Sequence, residues 1–221
     1  MTHERNVFIN CPFDRKYRPL LRALLFAVHD CGFRARSALE VEDSGEVRVQ
    51  KILRIISESP FGIHDISRVE PDRFTNLPRF NMPLELGLFL GAKAFGGPDQ
   101  QAKRCIVLDE TPYRYQAFCS DIAGQDVRAH GGKPNVAIEI VRNWLSTTAA
   151  AEGTVIPSGS VIAKRYKTYR AELPSWCEKL QLNPRRLTFG DDVALIVAWL
   201  RENASGVEQS PPRHTTTVSE R

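Results

Sequence analysis

The stretch FGIHDISRVEPDRFTNLPRFNMPLELGLFLGAKAF, residues 61–95, decides the fold. It opens with a short apolar run at residues 61–66, which has the length and composition of a buried strand. An irregular loop of residues 67–80 follows, and apolar side chains then recur with helical spacing through Phe95. The stretch therefore predicts a strand, a loop and a helix, which together form the repeating unit of a parallel α/β sheet.

The same alternation of strand and helix occurs four times along the chain. Right-handed crossovers between parallel strands then give an α/β, flavodoxin-like sheet, most simply of order 2-1-3-4, with helices on both faces. The second strand is the least apolar, so we expect it nearer an edge of the sheet. The predicted strands span residues 7–10, 33–39, 61–66 and 104–109, and the predicted helices span residues 17–31, 46–58, 82–95 and 135–145.

The helical pattern also predicts which side chains face the core. In the second helix we expect Val49, Ile52, Leu53 and Ile56 to point inward. In the helix of residues 82–95, the predicted apolar face carries Leu84, Leu88 and Gly91. Gly87 and Gly91 share a face and are expected to allow close approach of the sheet or a ligand.

Composition divides the chain into a main domain and a C-terminal part. Residues 1–148 carry the α/β pattern, and residues 149–160 are small and polar, as in a linker. A small helical extension is predicted at residues 161–204, with helices at 161–180 and 191–202. Residues 205–221 contain little apolar surface and are predicted to be a disordered tail.

Charge and cysteine content favour a cytoplasmic protein without a metal centre. The chain has 221 residues, a formal net charge of +4 and five cysteines, none of them in C-x-x-C spacing. We therefore expect reduced thiols and no zinc site. The N-terminal residues leave no room for a signal peptide, and no apolar run approaches membrane-spanning length. No phosphate-binding glycine motif is present, so no redox cofactor is expected.

Glu85 is the first candidate for a functional residue. Asn81 is predicted to cap the helix that follows, and Pro83 fits its first turn. The Glu85 carboxylate would then lie along a largely apolar surface, where a charge is costly. The helix N-terminus is expected to hold it ionised, which suits a nucleophile or a stabiliser of positive charge. The alternative is that acids favour the first turn of any helix.

Further candidates follow the strands, because ligands of such sheets bind at the carboxyl ends of the strands. Asn10, Phe13 and Arg15 follow the first strand and are placed at the rim of a ligand cleft. Asn10 would hydrogen-bond a polar ligand, and Phe13 offers a stacking face. The alternative for this segment is simple helix capping by Asp14.

The segments after the third and fourth strands complete the predicted set. Asp65 would bind a sugar hydroxyl or cap the next segment, and strand alternation sends it to the opposite face from His64. The remaining predicted substrate-binding residues are polar or aromatic side chains in the loops after these strands: Ser67, Arg68, Arg79, Asn81 and Tyr113. For Tyr113, in the region after the fourth strand, the alternative is an irregular polar connection.

Two short motifs resemble known families. Val7-Phe8-Ile9-Asn10, followed by a helix, resembles the first strand of TIR-type domains. Glu85-Leu86-Gly87 resembles the catalytic-glutamate segment of the nucleoside 2-deoxyribosyltransferases, and TIR-type NAD hydrolases place a glutamate similarly. The resemblance covers residues 5–145. It departs from the pattern at residues 76–83, which lack the usual Asp-x-Gly, and at residues 11–13, which replace a serine-rich turn.

The resemblance implies a Rossmann-like domain that cleaves or transfers N-glycosidic bonds of NAD, a nucleoside or a nucleotide. Glu85 would be its catalytic carboxylate, and Asp65 or Asn10 would hold the sugar hydroxyls. The resemblance also implies assembly into a homo-oligomer and a role as an effector in bacterial defence or signalling.

Two other functions stay open on the sequence alone. One is a non-catalytic TIR-like module for protein interaction or nucleotide sensing. The other is nucleic-acid binding through residues 161–186, where basic and aromatic residues alternate. Such a pattern is more often the solvated face of an amphipathic helix, so nucleic acid is not an expected partner.

Overall fold

A computed structural model describes residues 3–40, 43–71 and 76–204 of the chain. Its centre is an all-parallel five-stranded sheet of order β2-β1-β3-β4-β5. The strands are β1 (Asn6–Asn10), β2 (Arg34–Arg36), β3 (Phe61–Asp65), β4 (Arg104–Asp109) and β5 (Arg128–Ala129). The helices are α1 (Arg18–Asp30), α2 (Arg48–Ser57), α3 (Asn81–Phe95), α4 (Pro98–Gln101), α5 (Pro134–Ala151), α6 (Gly159–Lys179) and α7 (Phe189–Ala204).

The sheet confirms the predicted α/β, flavodoxin-like class and adds one strand to it. β2 lies at an edge, as its weaker apolar character predicted. The added strand, β5, has two residues and pairs with Leu108 and Asp109 at the end of β4. Two residues are too few to produce a hydrophobic pattern, so residues 111–132 gave no sign of it in the sequence. Two short 3₁₀ segments, Arg114–Ala117 and Ser120–Ile122, precede it.

The strand order places α1 and α5 on one face of the sheet and α2 and α3 on the other. The α1–α5 face carries a second layer, formed by α6 and α7. Phe26 of α1 packs there against Tyr166, Tyr169 and Trp199 at ring-centroid distances of 5.4 to 5.7 Å. The α2–α3 face has no such second layer among the described residues. The two faces of the sheet are therefore covered unequally.

The C-terminal helices belong to the same core as the sheet. The residues predicted as a linker are partly helical, since α5 continues to Ala151. The Arg142 guanidinium donates to the carbonyl oxygens of Ile156 (2.9 Å) and Pro157 (2.6 Å), which fixes the connection to α6. The connection between α5 and α6 is therefore shorter than the linker predicted at residues 149–160. The predicted tail, residues 205–221, lies outside the described residues.

Two of the four residues predicted to face inward in α2 are exposed. Val49 and Leu53 of α2 are each 45% exposed, and Lys51 and Ile55 are buried in their place. Leu84 of α3 is 59% exposed. The reason in α3 is that apolar residues surround the whole helix, so their spacing does not distinguish the inner from the outer side. The residues of α3 that are buried are Met82, Glu85, Leu86 and Phe89.

The start of α3 also differs from the prediction. Asn81 is the first residue of the helix and not its N-cap, which is Phe80, and no side chain caps this end. Gly87 and Gly91 make no close approach, because a Cβ added to either residue would meet nothing within 4 Å. Both glycines face outward, away from the sheet.

Gly62 of β3 is a glycine at which packing leaves no room for a side chain. A Cβ there would lie 2.6 Å from Nε2 of His64 and 2.9 Å from the Phe89 ring. We expect Gly62→Ala to lower the free energy of unfolding by about 1–3 kcal/mol. Gly87→Ala is the matched control, because it fills open space in a helix and should raise stability by up to about 1 kcal/mol. Urea unfolding of both variants checks this, and an unchanged midpoint for Gly62→Ala would contradict it.

The described residues contain no helix with the length and apolar character needed to cross a membrane. The five cysteines are free thiols.

Candidate functional site

A cavity of about 470 Å³ opens at the carboxyl ends of β1 and β3, beside the start of α3. This is the edge of a parallel sheet at which ligands bind. Its volume falls within the range of small-ligand sites, about 300–1,000 Å³. The wall is formed by the segment after β1, the loop before α3 and the first turns of α2 and α3. The lining residues are Asn10, Cys11, Pro12, Phe13, Asp14, Lys16, Arg48, Arg68, Glu70, Pro71, Arg79, Asn81, Met82 and Glu85.

Glu85 provides the buried acid of this cavity. Its residue surface is only 6% exposed, and no described residue donates a hydrogen bond to its carboxylate. Burial raises the pKa of Glu85 to about 7, and the positive charge of Arg48 opposes the rise. The prediction that the helix N-terminus keeps this carboxylate ionised is therefore wrong, because desolvation outweighs the attraction. Near neutral pH the group exists in both protonation states.

Asn10 connects the end of β1 to the first turn of α3. Its side-chain amide nitrogen donates to the carbonyl oxygen of Met82 at 2.8 Å and to Nδ1 of His64 at 3.1 Å. Both amide hydrogens are thereby used within the protein. The side-chain oxygen remains, and it is an acceptor at the cavity wall. Asn10 can therefore accept a hydrogen bond from a ligand hydroxyl.

His64 and Cys11 are neutral buried groups beside the site. Burial lowers the pKa of His64 to about 3, and its ring lies between Phe8 and Phe89 at centroid distances of 5.9 and 4.9 Å. His64 does not line the cavity. Burial raises the pKa of the Cys11 thiol well above its ordinary value, so the thiol stays protonated. Neither group is suited to exchange protons or attack a substrate near pH 7.

Cationic side chains surround the mouth of the cavity. Arg68 pairs with Asp14 at 3.0 Å. Lys16, Arg48 and Arg79 form no ion pair with any described residue. Three cations that form no ion pair with a described carboxylate lie around one opening, and they favour a ligand that carries negative charge.

Asp65, at the end of β3, does not line the cavity. It is fully buried, and one of its oxygens accepts hydrogen bonds from the Tyr17 hydroxyl and from Nε2 of His130, the latter at 2.9 Å. Its other oxygen accepts from the backbone N–H of Ser67 at 2.9 Å. The backbone N–H of Gly132 donates to Nδ1 of His130, so Nε2 carries the hydrogen that Asp65 receives. Both oxygens of Asp65 thus accept hydrogen bonds from the protein.

Strand alternation sends His64 and Asp65 to opposite faces of the sheet, as predicted. His64 lies on the face that α3 covers, where its ring contacts Phe89, and Asp65 lies on the other face. The structure brings six of the ten predicted site residues to the cavity: Asn10, Phe13, Arg68, Arg79, Asn81 and Glu85. It leaves four away from the cavity wall: Arg15, Asp65, Ser67 and Tyr113. Ser67 is buried, and Tyr113 is 74% exposed at the start of a 3₁₀ segment beyond β4.

Sequence reasoning missed Lys16 and Arg48. Lys16 lies one residue beyond Arg15, in a segment already identified as the rim of a cleft. Arg48 opens α2, which leaves the sheet from the carboxyl end of β2. The rule that ligands bind at this edge applies to α2 as well as to α3, and it would have pointed to Arg48.

Comparisons with protein-family models, with curated proteins and with solved structures found no match for this chain. Its function is therefore argued from the cavity alone. No group of three or more histidine, cysteine or acidic side chains suited to a metal ion occurs in the part of the chain that the structure describes. What the cavity offers is one unpartnered carboxyl group, one amide acceptor and a cationic rim.

Proposed function

We propose that this protein cleaves or transfers the N-glycosidic bond of NAD or of a nucleoside or nucleotide, with Glu85 as the catalytic carboxylate. One observation carries the proposal: the Glu85 carboxyl group is buried in the wall of a ligand-sized cavity and has no hydrogen-bond donor among the described residues. A buried acid without a protein partner is costly to stability. Such a cost is typical of groups that act on a ligand.

The chemistry follows from the charge that develops during bond cleavage. As the bond between the ribose C1′ and the base nitrogen breaks, both electrons leave with the base and positive charge develops on the sugar ring. The ionised Glu85 carboxylate stabilises that charge or bonds to C1′. Water then supplies a hydroxyl group to C1′ and releases a proton. Nicotinamide leaves NAD as a neutral molecule, so this substrate requires no general acid.

The remaining cavity residues are suited to positioning such a substrate. The Asn10 side-chain oxygen would accept a hydrogen bond from a ribose hydroxyl, and the ring of Phe13 would stack on the base. Lys16, Arg48 and Arg79 would contact phosphate oxygens. The cationic rim therefore favours NAD or a nucleotide over an uncharged nucleoside.

A base-release assay tests the proposal. The full chain is incubated separately with NAD, with nucleosides and with nucleoside monophosphates, and free base is separated by chromatography. Release that Glu85→Gln abolishes supports the enzyme. Saturable binding of one of these compounds without release, at any enzyme concentration, would instead support a nucleotide-sensing module. If the protein neither releases base nor binds any of these compounds, both the enzyme and the nucleotide-sensing module are refuted.

Arg48→Ala should separate phosphorylated from unphosphorylated substrates. We expect KM for NAD or a nucleotide to rise about 10-fold, with little change for a nucleoside, because only the former present a phosphate to the guanidinium. The pH profile should also shift to higher pH, since Arg48 opposes the raised pKa of Glu85. Arg186→Ala, at an exposed position away from the cavity, is the matched control. Equal effects of Arg48→Ala on all substrates would contradict a phosphate contact.

A further inference from the structure

Helix α3 is apolar on its outer side as well as on its inner side. Of its fifteen residues, only Glu85 and Lys93 carry charge. Its inner side packs on the sheet, whereas Leu84 is 59% exposed and Phe95 is 91% exposed. A helix that is apolar all round is normally buried all round. The outer side of α3 therefore has the composition of a covered surface.

The outer side of α3 adjoins α2. Leu88 packs against the cluster that contains Ile52 and Ile55 of α2, which shows the side of α3 that faces α2. Leu84 lies one turn before Leu88, and Phe95 lies two turns after it, so all three share one stripe. Leu53 of α2, the helix next to α3, is also exposed.

Most of the large exposed apolar side chains in the described part of the chain belong to α2, to α3 or to the segments that lead into these helices. Taking about 150 to 200 Å² for a fully exposed large side chain, they leave an apolar surface on the order of 700 Å². The largest patch on a typical monomer is about 300–600 Å². Seven of the eleven large apolar side chains that are exposed among the described residues lie here: Val47, Val49, Leu53, Leu77, Phe80, Leu84 and Phe95.

We propose that the α2–α3 face binds the same face of a second copy of this chain, forming a two-fold symmetric dimer. The exposed apolar area is close to the roughly 800 Å² that each partner contributes to a standard stable interface. A two-fold interface must also be complementary to itself. The face meets this condition because projecting side chains, Leu84 and Phe95, lie beside the open space at Gly87 and Gly91 on the same helix.

The opposite face of the sheet is already covered by a second layer of helices and is not available for such an interface. There α6 and α7 already cover α1 and α5, and their contact with the core is completed by Tyr166, Tyr169 and Trp199. The α2–α3 face is the face of the sheet that the described chain leaves with a single helical layer. A second copy would supply the layer that α6 and α7 supply on the other side.

Sedimentation velocity on the full chain tests the dimer. Between about 1 and 100 μM the wild-type protein should sediment as a dimer. Leu84→Glu and, independently, Leu53→Glu should each weaken the dimer by at least about 100-fold, because each places a charge in the apolar centre of the interface. Leu180→Glu is the matched control: Leu180 is 55% exposed at the end of α6, and its variant should remain dimeric.

The outcomes decide the proposal without reference to base release. All three positions are exposed in the protomer, and circular dichroism melting verifies that each variant is folded. A wild-type protein that is monomeric at the highest concentration would overturn the dimer, and the apolar face would then belong to another protein. A dimer that persists in both Leu84→Glu and Leu53→Glu would overturn the assignment of the interface.

Discussion

Glu85→Gln should reduce base release by at least about 1,000-fold, because it removes the buried carboxylate that stabilises positive charge on the reacting sugar. Glutamine has nearly the same shape as glutamate, so the cavity wall is preserved. Equilibrium binding measurements should therefore show little loss of substrate affinity, and the loss of activity should appear as a lower kcat. A matched control is Asp14→Asn, which removes a negative charge from the same cavity but from its rim. Comparable losses from both variants would contradict a specific role for Glu85.

Glu85→Gln should raise the free energy of unfolding at neutral and higher pH, although it lowers activity. The pKa of Glu85 is about 7 in the folded protein, above its ordinary value of 4.5, so the folded state binds more protons between these values. Wild-type stability therefore falls as pH rises from about 4.5 to 7, by at most roughly 3 kcal/mol. Glu85→Gln removes this loss. In urea unfolding, the variant should match the wild type near pH 4 and exceed it above about pH 8.

The pH dependence of catalysis follows from the same group. If the ionised carboxylate acts on the sugar, kcat/KM for NAD rises with pH and levels off above about 7. A profile that falls through this range would assign the active form to the protonated acid. A Glu85→Gln variant that is less stable than the wild type at every pH would mean that the carboxylate serves the fold rather than a substrate.

The sequence located the site because the site depends on topology. Once the chain is recognised as a parallel sheet, the residues after each strand must meet at one edge, and this brought Asn10 and Glu85 together correctly. The protonation state of Glu85 was harder to predict from the sequence. The ionised Glu85 expected from the helix N-terminus ignored desolvation, and the extent of burial depends on how α3 packs against the sheet.

Long-range contacts explain why the predicted site residue Asp65 lies away from the cavity. Alternation could show that His64 and Asp65 face opposite ways, but it could not show which of them lies under α3. The partners of Asp65 are Tyr17 and His130, which are 48 and 65 residues away in the chain. His130 follows β5, a strand too short to be recognised. Without that strand, nothing in the sequence indicates that a histidine reaches the centre of the sheet.

Asp65→Asn should be strongly destabilising, because no orientation of an asparagine satisfies its surroundings. Three donors point at the two oxygens of Asp65: the Tyr17 hydroxyl, Nε2 of His130 and the backbone N–H of Ser67. An asparagine has one acceptor oxygen, so its amide group must face at least one of these donors. His130 cannot change tautomer to compensate, because its Nδ1 already accepts from Gly132. We expect the free energy of unfolding to fall by about 2–4 kcal/mol.

Urea unfolding of Asp65→Asn beside Asp126→Asn tests this. Asp126 has a side chain that is 75% exposed and pairs with Arg128 in solvent, so the control should change stability by less than about 0.5 kcal/mol. The two variants make the same chemical change, and only the burial and the donors differ. Since Asp65 lies outside the cavity, base release per folded molecule should persist in Asp65→Asn. Unchanged stability with lost release would instead support Asp65 as a residue that acts on the substrate, because its buried carboxylate would then be dispensable for folding but required for activity.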